Sequence, residues 1–129
     1  MSYWQEYDVE RKIVSILSEI QYYRPDHHFG RPFITAYQLA IEYARQFPDD
    51  VTRLGYPIGG EGIGERVSVA KYLSGQLSER IRNGEITSIE GGFLSNSHLS
   101  EIVFDNQGQP LRSSLTKTQF DLSMYRLRE

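Results

Sequence analysis

The six residues Ile34-Thr35-Ala36-Tyr37-Gln38-Leu39 constrain the fold more tightly than any other stretch. Thr35 is a helix-capping residue whose hydroxyl can accept from a backbone N–H further along the first turn. Gln38 stands three positions on, where its side chain can reach back to the N–H of the cap and complete a capping box. Ile34 and Leu39 flank the cap at the spacing of a hydrophobic staple. From Ala36 onward, Leu39, Ala40, Tyr43, Ala44 and Phe47 recur on one face, and Pro48 closes the pattern. A helix over 36–47 with a defined start is therefore expected, and the rest of the chain must pack against its apolar stripe.

Two more helices follow from the same periodicity. Over 4–23, Val9, Ile13, Ile16, Leu17 and Ile20 recur at helical spacing, and Arg24-Pro25-Asp26 ends the run. Over 66–82, Val69, Ala70, Leu73, Leu77 and Ile81 give a buried face, with Ser68, Lys71, Ser74, Gln76 and Ser78 expected outward. Asn83-Gly84 ends this helix, because both residues tolerate positive φ. Between the second and third helices, 49–56 has room for one short helical turn, and 57–65 carries four glycines and reads as loop. The C-terminal third reads as sheet. Residues 86–89 form a short strand, 101–104 and 111–114 flank a hairpin loop at 105–109, and 120–127 alternates as a half-buried strand. The chain of 129 residues is one α+β domain, three helices followed by a small antiparallel sheet or hairpin.

Composition removes several function classes. There are no cysteines, which excludes disulfides, thiolate zinc sites and cysteine nucleophiles. No run approaches the ~20 apolar residues of a membrane helix, and Met1–Glu6 lacks the basic start and apolar core of a signal peptide. A cytoplasmic protein without a membrane partner is expected. The net charge of −3 argues mildly against nucleic acid, since phosphate binding is driven by Lys and Arg. The distribution is more permissive. Between Arg66 and Asn83, Arg66, Lys71, Arg80 and Arg82 face only Glu79, a basic element on an acidic body.

Chemical motifs are sparse. Gly59-Gly60-Glu61-Gly62-Ile63-Gly64 precedes the third helix, and backbone N–H groups at a helix start can cradle an anion. The Lys-Ser/Thr pair of a phosphate loop is missing, however, and Glu61 and Glu65 repel phosphate, so a plain connector is the simpler reading. Asp26, His28 and His98 are the best metal candidates, but adjacent His27-His28 in a polar loop reads more simply as solvated surface. No serine sits in Gly-x-Ser-x-Gly. No catalytic signature, cofactor motif or metal set is expected.

The third helix is the remaining candidate. A helix that reads DNA carries small polar and basic residues outward, so that it can sit deep in the major groove. Arg66, Ser68, Lys71, Ser74, Gln76, Ser78 and Arg82 fit that description, and Gly75 in mid-helix costs about 1 kcal/mol relative to alanine. Either a close external approach or tight packing of another helix accounts for it. In the order of its elements over 33–115, the chain resembles the winged helix-turn-helix superfamily. That resemblance implies DNA binding through the third helix and a wing, here 101–114, often in transcriptional regulators; some members use the fold for protein contacts. It implies Arg66, Lys71, Arg80, Arg82 and Arg112 at phosphates, and Ser74, Gln76 and Ser78 near bases. The 18 residues between Phe47 and Arg66 exceed the superfamily's usual short turn. Either an extra element sits there, or the two helices do not meet at the helix-turn-helix angle.

Three functions stay open at this point: a duplex-DNA-binding protein, a protein-interaction module without nucleic acid, and a small-anion binder at Gly59–Gly64. Tyr3, Trp4, Tyr7, Tyr22 and Tyr23 suit either a homodimer through the N-terminal helix or the cover of the domain's own core.

Overall fold

The structure is a computed structural model that describes residues 2–60, 67–113, 115, 118 and 120–129. Its described elements are α1 (Tyr3–Glu6), α2 (Val9–Ser18), β1 (Ile34–Thr35), α3 (Ala36–Gln46), α4 (Pro48–Leu54), α5 (Val69–Arg82), β2 (Ile89–Leu94), β3 (Val103–Asn106), β4 (Gln109–Arg112) and β5 (Leu122–Leu127). The fold is α+β. Helices fill the first two thirds, and all described strand pairings are antiparallel.

The capping box forms as the spacing predicts. The Gln38 N–H donates to Thr35 Oγ1 at 3.2 Å, and the Thr35 N–H donates to Gln38 Oε1 at 2.7 Å. The two residues just before α3 also make β1, which pairs Ile34 with Tyr125 and Thr35 with Met124. This strand was not expected, because two residues are too few to carry a period-2 pattern. The sheet order is β1-β5-β2, so the last strand to form in sequence lies at the centre. Beneath it, Ile13, Ile16 and Leu17 of α2, Leu39, Ala40 and Tyr43 of α3, and Val69, Leu73 and Leu77 of α5 make one continuous core with Ile89, Leu122 and Tyr125.

Several boundaries differ from expectation. The single helix over 4–23 is two helices, because Asp8 adopts a left-handed conformation at φ 51° and turns the chain between them. It ends at Ser18, whose hydroxyl donates to the Ser15 carbonyl, well before Pro25. Pro48 does stop α3, but it also starts α4, since a proline at the first helical position loses no hydrogen bond. The hairpin turn is tighter than five residues. Gln107 and Gly108 both take positive φ, as a two-residue hairpin turn requires. This β3–β4 hairpin is a sheet of its own, inserted between β2 and β5.

The junction of the first four helices is tied by a buried polar cluster. Lys12 Nζ of α2 pairs with Asp50 Oδ2 of α4 at 2.7 Å, and the Tyr43 hydroxyl donates to the same oxygen at 2.8 Å. The Tyr3 hydroxyl donates to the Asp50 carbonyl at 2.6 Å. Burial first, and then the neighbouring Asp50 carboxylate, hold both tyrosine hydroxyls well above their ordinary pKa. Trp4 is buried under the Arg80 guanidinium at 4.6 Å, and Tyr3 packs edge-on against Tyr72. Trp4 is thus buried in the chain's own core, Tyr3 and Tyr7 are half-buried against it, and Tyr23 is exposed.

Candidate nucleic-acid interface

α5 is a three-sided helix. Its apolar side (Val69, Leu73, Leu77) faces the core. A second side faces β5, and a third is open to solvent.

The side facing β5 holds residues that were expected to point outward. Ser74 Oγ lies 2.7 Å from Ser123 Oγ and 2.9 Å from the Tyr125 hydroxyl, and Ser78 Oγ lies 3.2 Å from the same hydroxyl. Tyr125 also donates to the Ser74 carbonyl at 3.2 Å. Ser74 therefore satisfies the buried Tyr125 and does not reach a base. The reason is geometric. Residue 74 follows Leu73 by one position, about 100° round the helix, at the border of the buried face. Ser68 is a second correction. It is the N-cap of α5, only 5% exposed, and its Oγ accepts from the Lys71 N–H at 3.0 Å. Gln76 and Arg80 bond to each other at the flank near Trp4, with Arg80 also paired to Glu85.

The open side holds Lys71, Gly75, Glu79 and Arg82, with Ser78 at its border with the β5 side, and all five are exposed. The spacing 71, 75, 78, 82 keeps them in one stripe along the helix. Among the described residues, neither Lys71 nor Arg82 has a recorded side-chain partner. A Cβ added to Gly75 would meet nothing within 4 Å, so no other helix packs on it. The packing explanation for this glycine is thereby removed. Arg66 lies outside the described residues.

The hairpin reaches the N-terminal end of this helix. The Val69 and Ala70 N–H groups donate to the Pro57 and Ile58 carbonyls, which anchors 57–60 along the start of α5. A Cβ on Gly59 would lie 3.4 Å from Ala70 Cβ, and one on Gly60 would lie 3.2 Å from the Arg112 carbonyl oxygen of β4. Phe104 of β3 stacks on Tyr37 in the first turn of α3, with centroids 5.2 Å apart. The starts of α3 and α5 and the hairpin thus converge on Gly59-Gly60. Arg112 is exposed there and paired with Glu101.

The same contacts bear on anion binding. A cavity of about 580 Å³ lies between 58–60 and the hairpin. The Val69, Ala70, Lys71 and Tyr72 N–H groups are engaged by Pro57, Ile58, the Ser68 side chain and the Ser68 carbonyl, so none of these four is left for an anion. Residues 61–64 of the glycine stretch lie outside the described residues. Among the described residues, no group of three His, Cys, Asp or Glu stands close enough to hold a metal ion; His27 and His28 stack on each other at 4.4 Å.

Sequence reasoning missed the Lys12–Asp50–Tyr43 cluster entirely, because its members are up to 38 positions apart. No helix among the described residues is long and apolar enough to cross a membrane. Comparisons of the chain with protein-family models, with curated proteins and with solved structures return no match.

Proposed function

We propose that the chain is a small winged-helix-like protein that binds duplex DNA, in the manner of a transcriptional regulator, with α5 as the reading helix and the β3–β4 hairpin as the wing. The observation that carries this reading is the open stripe Lys71–Gly75–Ser78–Arg82 on α5, with a glycine at its centre that no contact among the described residues requires. A missing side chain lets a helix backbone come close to base edges, and the flanking cations suit phosphates. The order helix, short strand, helix, reading helix, strand, hairpin, returning central strand also supports it. In this proposal α4 and residues 55–60 are the extra element between the two helices.

The set of contact residues is narrower than the sequence implied. Lys71 and Arg82 neutralise phosphates, Ser78 approaches bases, and Arg112 acts from the wing. Arg80 and Gln76 hold the flank, and Ser68 and Ser74 support the helix from within. With two or three phosphate contacts on a chain of charge −3, affinity should be modest, with a slope of log affinity against log salt of about −2 to −3.

Anisotropy of a labelled mixed-sequence duplex, at about 50 and 200 mM salt, tests the proposal. Binding that is lost in the Lys71→Glu/Arg82→Glu double variant is expected. Absence of binding at micromolar protein in low salt would remove the proposal and shift weight to the interaction module.

A further inference from the structure

A second surface stands apart from α5. Side chains alternate along β5, so Arg126 projects from the face opposite Tyr125 and its α5 partners. There the guanidinium lies 4.2 Å above the Phe33 ring, and its Nη1 donates to the Phe29 and Arg31 carbonyls at 2.8 and 2.9 Å. Its Nε donates to Glu90 at 2.6 Å. One arginine therefore clamps the loop of residues 24–33 onto the sheet in a fixed shape.

The clamped loop borders a groove of about 570 Å³ walled by Tyr22, Tyr23, Phe29 and Phe33. Tyr23 and Phe29 are 81% and 73% exposed, and they stand at its mouth. Rings held out to water on an ordered loop are anchors for a partner, since aromatic residues and arginine dominate interface energetics. Arg24, Arg31 and Arg126 line the groove, and the carboxylate at its edge is Glu129, which accepts from the Tyr22 hydroxyl at 3.0 Å. Arg126 is neutralised by Glu90, and Arg31 lies over the Tyr22 ring at 5.4 Å with a long 3.9 Å pairing to Glu129. Arg24 is exposed and has no recorded side-chain partner among the described residues. A basic, aromatic groove on an otherwise acidic chain is complementary to acid.

We infer that this groove docks an acidic peptide segment of a partner protein, with a proline or aromatic side chain seated between Tyr23 and Phe29 and a carboxylate on Arg24. Aromatic-lined grooves take extended proline-containing segments because such segments lose little freedom on binding. Bidentate Arg–carboxylate contact supplies the orientation. The surface is independent of the DNA proposal and lies on the other side of the sheet from the α5 contacts of β5.

The test is selection from a random peptide display library on the immobilised full chain, after depletion on a Tyr23→Ser/Phe29→Ser/Arg24→Glu variant. All three positions are exposed, so the variant should keep the wild-type thermal midpoint. Enriched peptides should pair Asp or Glu with a proline or aromatic residue, and should bind the single Arg24→Glu variant roughly tenfold more weakly. Duplex DNA affinity should not change in the triple variant, which separates this inference from the DNA reading. No enrichment, enriched peptides without acids, or peptides that bind the variants as well as the wild type would each overturn it.

Discussion

Two lysines, Lys12 and Lys71, divide the molecule. Lys12 is half-buried at the junction of the first four helices, where its side chain and that of the buried Asp50 are 14% and 10% exposed. Lys12 Nζ also sits 4.8 Å from the Phe47 ring centroid. Lys71 stands on the open stripe of α5 with no recorded side-chain partner among the described residues. Both positions read as charges on helices, but only one is committed to holding the fold. A buried charge must be paired, so its neighbours are fixed by desolvation. An exposed one carries no such requirement and is available to a ligand. Function should therefore be sought where charge and polarity are left unspent.

The sharpest way to break this contrast is Asp50→Ala. It leaves Lys12 half-buried without a carboxylate and should cost about 3–5 kcal/mol in urea unfolding. A cost near that of an ordinary surface substitution would mean that the junction is as wet as α5. A somewhat smaller effect is expected at the hairpin contact. Gly60 takes φ +111° with the Arg112 carbonyl alongside, so Gly60→Ala should cost about 1–3 kcal/mol. It should also weaken DNA binding by shifting the hairpin. A similar cost, about 1.5–3 kcal/mol, is expected for Tyr43→Phe, which removes a hydrogen bond to a charged group.

The same tyrosines give a pH signature. Burial and the Asp50 carboxylate raise Tyr3 and Tyr43 above the ordinary tyrosine value of 10.0, so above that pH the folded state holds protons that the unfolded state has released. Their contribution to stability is complete below pH 10.0 and is lost as pH rises beyond it. Unfolding free energy measured between pH 9 and 11 should fall, and the fall should be shallower in Tyr3→Phe/Tyr43→Phe. The smallest effect is the most telling for function. Gly75→Ala should stabilise α5 by about 0.5–1 kcal/mol while weakening DNA binding. A variant more stable and equally tight would leave the glycine without a role in contact.

Much of the helical fold was legible. Thr35 and Gln38 announced α3, and the apolar positions of α5 were read correctly from Val69 to Leu77. Local signals were missed where one residue does two things. Pro48 ends one helix and begins another, and Asp8 breaks a pattern that periodicity carries straight through. The site was less legible. Ser68 precedes an apolar run as a cap residue does. Its polar side chain reads equally as surface and as cap, and the structure uses it as the cap. Ser74 lies beside Leu73 round the helix, and only the partner Tyr125, 51 residues away, decides that it faces inward, while Ser78 reaches the same hydroxyl and stays exposed. The pairing of Lys12 with Asp50 has no signal in one sequence, since 17 acids offer too many partners.

The most direct test of the central claim, that the open stripe of α5 is the surface that touches DNA, is the salt dependence of duplex binding in Lys71→Gln/Arg82→Gln beside the wild type. Each lost phosphate contact should reduce the slope of log affinity against log salt by about 1, so the double variant should be shallower by about 2. An identical slope and affinity in the two proteins would contradict the claim, because phosphate contacts would then lie elsewhere on the chain.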